Sequence, residues 1–174
     1  MTSTATETRW LTAEQQHAWR TYLMGTTQLT VRLDRDLQER HDLSLPEYEI
    51  LVRLSEADER KMRMSELADS LNHSRSRLTH TVARMENDGL LTRSNCPDDR
   101  RGIFAELTDA GVAKLVEAAP THVEGVRSYL IDITSPEDLA VVERVFGAVA
   151  DAICGGRPWP GSYTESAQEA PAPG

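Results

Sequence analysis

Residues 65–108 read SELADSLNHSRSRLTHTVARMENDGLLTRSNCPDDRRGIFAELT, and the fold follows from them. Met64 and Ser65 open a short helix in which Leu67, Ala68 and Leu71 form an apolar stripe at helical spacing. Asn72-His73 make a turn, and Ser74 is placed to cap the helix that follows. Leu78, Val82 and Met85 mark the inner face of that second helix, and Gly89 suits a left-handed closing residue. Leu90–Arg93 and Ile103–Leu107 read as two short strands. SNCPDDRRG joins them, with Pro97 and Gly102 as the punctuation of a hairpin loop. Helix, turn, helix, strand, basic loop and strand compose a winged helix-turn-helix, whose second helix enters the DNA major groove. The expected fold class is mainly α with a small two-stranded β wing.

Upstream, Thr12 and Gln15 form a capping box, and a long helix should run to about Arg40 with Leu29, Leu33 and Leu37 at i, i+4 spacing. His41-Asp42 breaks it. Ser44 and Glu47 form a second box, Pro46 is tolerated in the first turn, and Ile50, Leu51 and Leu54 face inward before the helix ends near Glu56. Asp58–Lys61 reads as a connector. Downstream, Thr108 caps a helix running towards Ile133, which Pro120 should kink or split. Ser135-Pro136-Glu137-Asp138 begins the last helix, which closes around Cys154-Gly155-Gly156. The expected organisation is a disordered N-terminus over 1–9, a single domain over 10–154, and a flexible tail over 155–174. Within the domain the winged helix-turn-helix occupies about 44–108. Helices at about 12–40 and 109–154 flank it and carry more apolar surface than a minimal winged helix needs, which points to a homodimer interface.

With 39% apolar and 27% charged residues, the 174-residue chain suits a globular protein with an ample polar surface. No run of about 18 apolar residues marks a membrane span, and MTSTATETRW lacks the pattern of a signal peptide, so a cytoplasmic location is expected. The two cysteines, Cys96 and Cys154, and the five histidines have no metal-ligand spacing. Neither a Ser/His/Asp order nor a Gly-rich phosphate loop nor a carboxylate pair stands out, so no catalytic residue, metal or cofactor is expected. The net charge of −9 argues against nucleic acid only until it is divided. Residues 60–101 hold nine Lys/Arg against six Asp/Glu, a local +3, while the remainder holds 10 against 22. Exposed charges beyond about 8–10 Å are screened at physiological salt, so DNA feels the local field.

At the front of the second helix stand Ser74, Arg75, Ser76, Arg77, Thr79 and His80, residue types that reach base edges and phosphates. Arg77 suits a bidentate bond to guanine, and Ser76 and His80, four apart, share its side of the helix. In the loop, the adjacent Arg100 and Arg101 can place a guanidinium in an A·T-rich minor groove. Asp99 would meet repulsion from DNA, and its better role is to pair with an arginine and brace the wing.

Asp99-Arg100-Arg101-Gly102 followed by Leu107-Thr108 resembles the D-[RK]-R-x5-L-T wing motif of the MarR family. SRSRLTHTVARMENDGLLTR is similar to that family's recognition helix and first wing strand, and Pro120-x-His122-x3-Val126-Arg127 to its fifth helix. The resemblance covers roughly residues 10–154. It implies a triangular homodimer that binds a pseudo-palindromic operator in double-stranded DNA, usually as a repressor, with Arg101 in the minor groove and Asp99 as its brace. His80 departs from it, standing where many relatives carry arginine. The resemblance also implies release by a small aromatic or anionic effector held between the dimer helices and the DNA-binding lobe. Trp19, Tyr22, His41 and Tyr48 are the residues available to line such a pocket. Two other readings remain. One is a thiol switch at Cys96, with Arg93 and Arg100 nearby to favour the thiolate. The other is a winged helix that binds protein rather than DNA.

Overall fold

Two capping boxes set the first two helices, as the sequence predicts. The Thr12 hydroxyl accepts from the Gln15 amide while the Gln15 side chain accepts from the Thr12 amide, and helix α1 (Ala13–His41) runs unbroken to Asp42, whose φ of 50° is left-handed. Ser44 and Glu47 repeat the arrangement at the start of α2 (Leu45–Glu56). A 3-10 turn (Asp58–Arg60) leads to strand β1 (Lys61–Arg63), then α3 (Met64–Ser70) and α4 (Arg75–Asn87). The hairpin of β2 (Leu91–Cys96) and β3 (Asp99–Leu107) follows, then α5 (Asp109–Val126), a π-helical turn (Arg127–Ile131) and α6 (Pro136–Cys154). This computed structural model describes residues 8–96 and 99–155, excluding the side chains of 99–101. Among the described residues no helix is long and apolar enough to cross a membrane.

Three sequence expectations are corrected. The sheet has three antiparallel strands in the order β1-β3-β2, where two were expected. The extra strand, in and beyond the segment that reads as a connector, pairs Lys61 with Glu106 and Arg63 with Phe104. Strands β2 and β3 also reach well into the segment read as loop, with a register irregularity at Asn95/Cys96. Finally, of the kink or split expected at Pro120 the split is absent: α5 runs through it as one helix. Proline in a helix interior costs about 3 kcal/mol, and burial around it outweighs that cost. Ala118 is fully buried, and Gly125 sits so close to α1 that an added Cβ would stand 2.7 Å from the Leu33 side chain. The irregularity comes later, at the π-helical turn, where the Tyr129 hydroxyl donates to buried Asp36 at 2.9 Å and accepts from Arg32 at 3.1 Å.

The core lies where α2, α3, α4, the sheet and the C-terminal part of α1 meet: Leu37, Ile50, Leu51, Leu54, Leu67, Leu78, Val82, Met85 and Leu91 are all essentially buried. In contrast, α6 contributes no buried residue at all. It packs beside the first half of α1, with the Phe146 ring 5.3 Å from that of Tyr22, which in turn stacks on Trp19. Val141, Val142, Val145 and Val149 remain 41–45% exposed, as does Leu23 of α1.

Candidate nucleic-acid interface

The turn between α3 and α4 is tight. Asn72 takes a left-handed φ of 52°, and the His73 amide donates to the Ala68 carbonyl at 2.9 Å. Ser74 then caps α4 by accepting from the Arg77 amide at 3.3 Å, so its hydroxyl shapes the helix start. Because Leu78, Val82 and Met85 point into the core, the opposite face presents Arg75, Ser76, Arg77, Thr79 and His80, all exposed. The Thr79 hydroxyl donates to the Arg75 carbonyl at 2.8 Å and keeps its oxygen as an acceptor. Among the described residues neither Arg75 nor Arg77 has a salt-bridge partner. Both are free to meet phosphate or base.

Other arginines of this region are already engaged. Arg84 gives its Nε to Glu47 at 2.8 Å, and Glu47 is itself buried, held also by the Ser44 hydroxyl and amide. Burial pushes the Glu47 carboxyl up, but the Ser44 bonds and Arg84 together hold it below the usual carboxylate range. One carboxylate therefore ties the start of α2 to the middle of α4, a link that the sequence shows only as a capping box. At the other end of α4, Glu86 accepts from the Arg93 side chain at 2.8 Å and from its amide at 3.1 Å, joining the helix to β2. These two ion pairs orient α4 relative to the rest of the lobe.

The side chains of Asp99, Arg100 and Arg101, expected to form the arginine pair and its brace, lie outside the described residues, although their backbone begins β3. Cys96, at the end of β2, is only 4% exposed. Its sulfur lies 2.6 Å from where a Cβ on Gly102 would stand. That packing withdraws the thiol from solvent and removes the access a redox switch at Cys96 requires.

The four residues proposed to line an effector pocket do not converge within the chain. Trp19 and His41 lie 22 residues apart on one continuous helix, about 33 Å at 1.5 Å per residue. Trp19 and Tyr22 belong to the aromatic stack with Phe146. His41 bridges to α5, its Nε2 2.7 Å from the Thr121 hydroxyl and its Nδ1 3.3 Å from Glu117. Tyr48 alone of the four borders an open cavity of about 210 Å³, together with Glu49, Arg53, Ser70, Leu71 and His122. The His122 ring lies tilted against Tyr48, centroids 4.6 Å apart, and its Nδ1 is buried with no hydrogen-bond partner among the described residues. The Nδ1 of His73, in the turn before α4, is likewise buried and unpartnered.

Burial lowers the pKa of both histidines, with Arg77 adding to the effect at His73. A histidine whose folded pKa lies below its unfolded value takes up its proton first in the unfolded chain. Stability present above about pH 6.5 is therefore lost as the pH falls below that value. Glu49 acts the other way, because burial raises its pKa against the pull of Arg53 and Arg77. The expected net result is a melting temperature that drops between pH 7.5 and 5.5, and a smaller drop in His122→Gln. Equal drops in the two proteins would show that His122 does not drive the effect.

A search of known proteins finds relatives of this arrangement. The family model described as "MarR family" matches residues 43–103. The crystal structure of AbsC, a MarR family transcriptional regulator from Streptomyces coelicolor, is 46% identical, with a TM-score of 0.79 over 85% of this chain and 99% of that one. Sco3205, a MarR family regulator from the same organism whose crystal structure is in complex with DNA, is 41% identical, with a TM-score of 0.82 over 89% and 98% of the two chains. The transcriptional regulator PecS of Dickeya dadantii is 31% identical over 119 residues, which are 66% of this chain and 69% of PecS. The matches to curated Bacillus subtilis relatives extend over 57–67% of their length.

Proposed function

The chain belongs to the MarR family of winged helix-turn-helix transcriptional regulators, and on that premise we propose that it is a homodimeric repressor of a pseudo-palindromic DNA operator, released by a small aromatic or anionic effector. The observation that carries the DNA-binding reading is the exposed face of α4, where Arg75 and Arg77 have no ion-pair partner among the described residues and stand beside Ser76, Thr79 and His80. A winged helix that bound only protein would not need two unneutralised guanidinium groups at the front of its recognition helix. The likeness to Sco3205, whose structure contains DNA, supports the same reading. In this proposal Arg77 reads a base in the major groove, Arg101 enters the minor groove and Asp99 braces the wing. Dimerisation draws its support from α6, an amphipathic helix with no buried residue in the single chain. Two-fold symmetry would set two recognition helices on two half-sites.

The effector compartment fits best at the Tyr48–His122 cavity. Its volume of about 210 Å³ lies below the usual 300–1,000 Å³ of ligand pockets, room for one small ring. His122 offers an unsatisfied nitrogen and Arg53 a cation beside it.

Selection of genomic fragments with the purified protein tests the central claim. Wild-type protein should enrich one pseudo-palindromic sequence, and the neighbouring genes would identify what it regulates. Arg77→Ala should lower operator affinity by about 1–3 kcal/mol and blur the preference at one position in each half-site. A loss spread evenly over all sequences would reassign Arg77 to a phosphate, and no enrichment by wild type would end the DNA-binding reading.

A further inference from the structure

A protein that places a helix in the major groove and a hairpin in the neighbouring minor groove must straddle the sugar-phosphate strand dividing them. Whatever lies between helix and hairpin on the protein then faces phosphates. Here that place is an open groove of about 270 Å³ bounded by Arg63, Ser65, Arg75, Thr79, Gly102 and Ile103. It runs between α4 and the root of the wing, with the junction of β1 and α3 as its floor.

Arg63 is the residue that the sequence does not single out. It ends β1, hydrogen-bonded into the sheet opposite Phe104, and its guanidinium lies 5.5 Å from the centre of the Phe104 ring. Its Nη1 is 3.1 Å from where a Cβ on Gly102 would stand. The sequence presents Gly102 as hairpin punctuation, yet its φ is not in the left-handed region, so space rather than torsion demands glycine there. Any side chain at 102 would press on both Arg63 and Cys96. The missing Cβ leaves room for a planar cation, held against an aromatic face, at the edge of the groove. A guanidinium held this way loses little freedom when it binds, and its fork of N–H groups matches a phosphate.

We propose that Arg63, with Ser65 beside it and Arg75 across the groove, forms a phosphodiester-binding site that seats the DNA strand between recognition helix and wing. The inference rests on the DNA-binding reading above. Phosphate contacts of this kind fix register and carry no sequence information, so Arg63 sets how the chain sits on its operator rather than which operator it chooses.

The test uses the full chain and a short duplex carrying its selected operator. Arg63→Gln should weaken binding roughly tenfold or more for specific and non-specific duplexes alike, with base preferences unchanged. The slope of log K against log salt should fall by about 0.9 for each phosphate that is no longer neutralised, and Arg63→Lys should recover most of it. A scan of single neutral methylphosphonates along the operator should reveal one linkage per half-site whose neutralisation weakens wild type but has no further effect in Arg63→Gln. An unchanged salt slope in Arg63→Gln overturns the proposal, whether affinity is kept or reduced, because a merely structural arginine would leave the phosphate count intact. If Arg63→Gln does not fold, the salt slope and the scan are read on Arg63→Met, and a slope and profile identical to wild type at every linkage overturn it. Wild type that binds no duplex would instead remove the DNA-binding reading itself, a result distinct from wild type that binds and an Arg63→Gln variant that binds equally well.

Discussion

Arg101→Ala weakens operator binding by roughly ten- to a hundredfold for each half-site, while the sedimentation and melting of the protein stay as in wild type. A charge-assisted hydrogen bond contributes about 1.5–3 kcal/mol, and 1.4 kcal/mol corresponds to a factor of ten. Two symmetric wings would lose that amount twice. The narrow A·T minor groove concentrates negative potential, which is why a single guanidinium there has so large an effect. The loss should be greatest on operators with A·T pairs beneath the wing, and smaller on variants with G·C pairs in those places. Equal mobility-shift affinity for wild type and variant would withdraw the minor-groove role from Arg101.

Val145→Glu should separate the subunits of the proposed dimer. The helix that bears it has Val141, Val142, Phe146 and Val149 around the same flank, each still 40–45% exposed although Phe146 lies against Tyr22 of α1. In a two-fold interface one substitution introduces two carboxylates into the same apolar surface, where each would lose water without gaining a partner. The expected product is a folded monomer by sedimentation equilibrium, with helical content retained, because α6 contributes no buried residue to the single-chain core. Its operator affinity should fall about 10²–10⁴-fold, because the two half-sites are then bound by separate molecules instead of one linked pair. A variant that remains dimeric would move the interface away from this face of α6.

Local signals carried most of the fold. The boxes at Thr12/Gln15 and Ser44/Glu47, the cap at Ser74 and the left-handed Gly89 each act within four residues, and each stands where the sequence predicts. Strand β1 was illegible for the opposite reason. Three residues have no periodicity, and what makes Lys61–Arg63 a strand is its pairing with Phe104–Glu106, more than 40 positions away. Pro120 is a similar case, because the local penalty is visible in the sequence while the burial of Ala118 and the close approach of Gly125 to Leu33 of α1 are not. At the site, the exposed face of α4 could be read from its apolar stripe. The bond from Arg84 to Glu47 spans 37 positions, and Arg63 acquires its setting only when β1 and β3 are brought side by side. Side-chain type points to the effector residues but not to their distances, and the length of α1 keeps Trp19 and Tyr22 away from the cavity at Tyr48.

Glu47 and Tyr48 are neighbours on α2, one bonded to α4 through Arg84 and the other in ring contact with His122 of α5. Consecutive residues on a helix point about 100° apart, so a small roll of α2 about its axis moves both contacts at once. Under the proposed function the two sites would then share a free energy. A molecule that enters beside His122 and favours one setting of α2 shifts the affinity of α4 for DNA by some factor, and DNA shifts the affinity for that molecule by the same factor. Where that molecule favours the setting in which α4 binds DNA less well, the proposed effector and operator would oppose one another through a single carboxylate, to a degree measurable from either side.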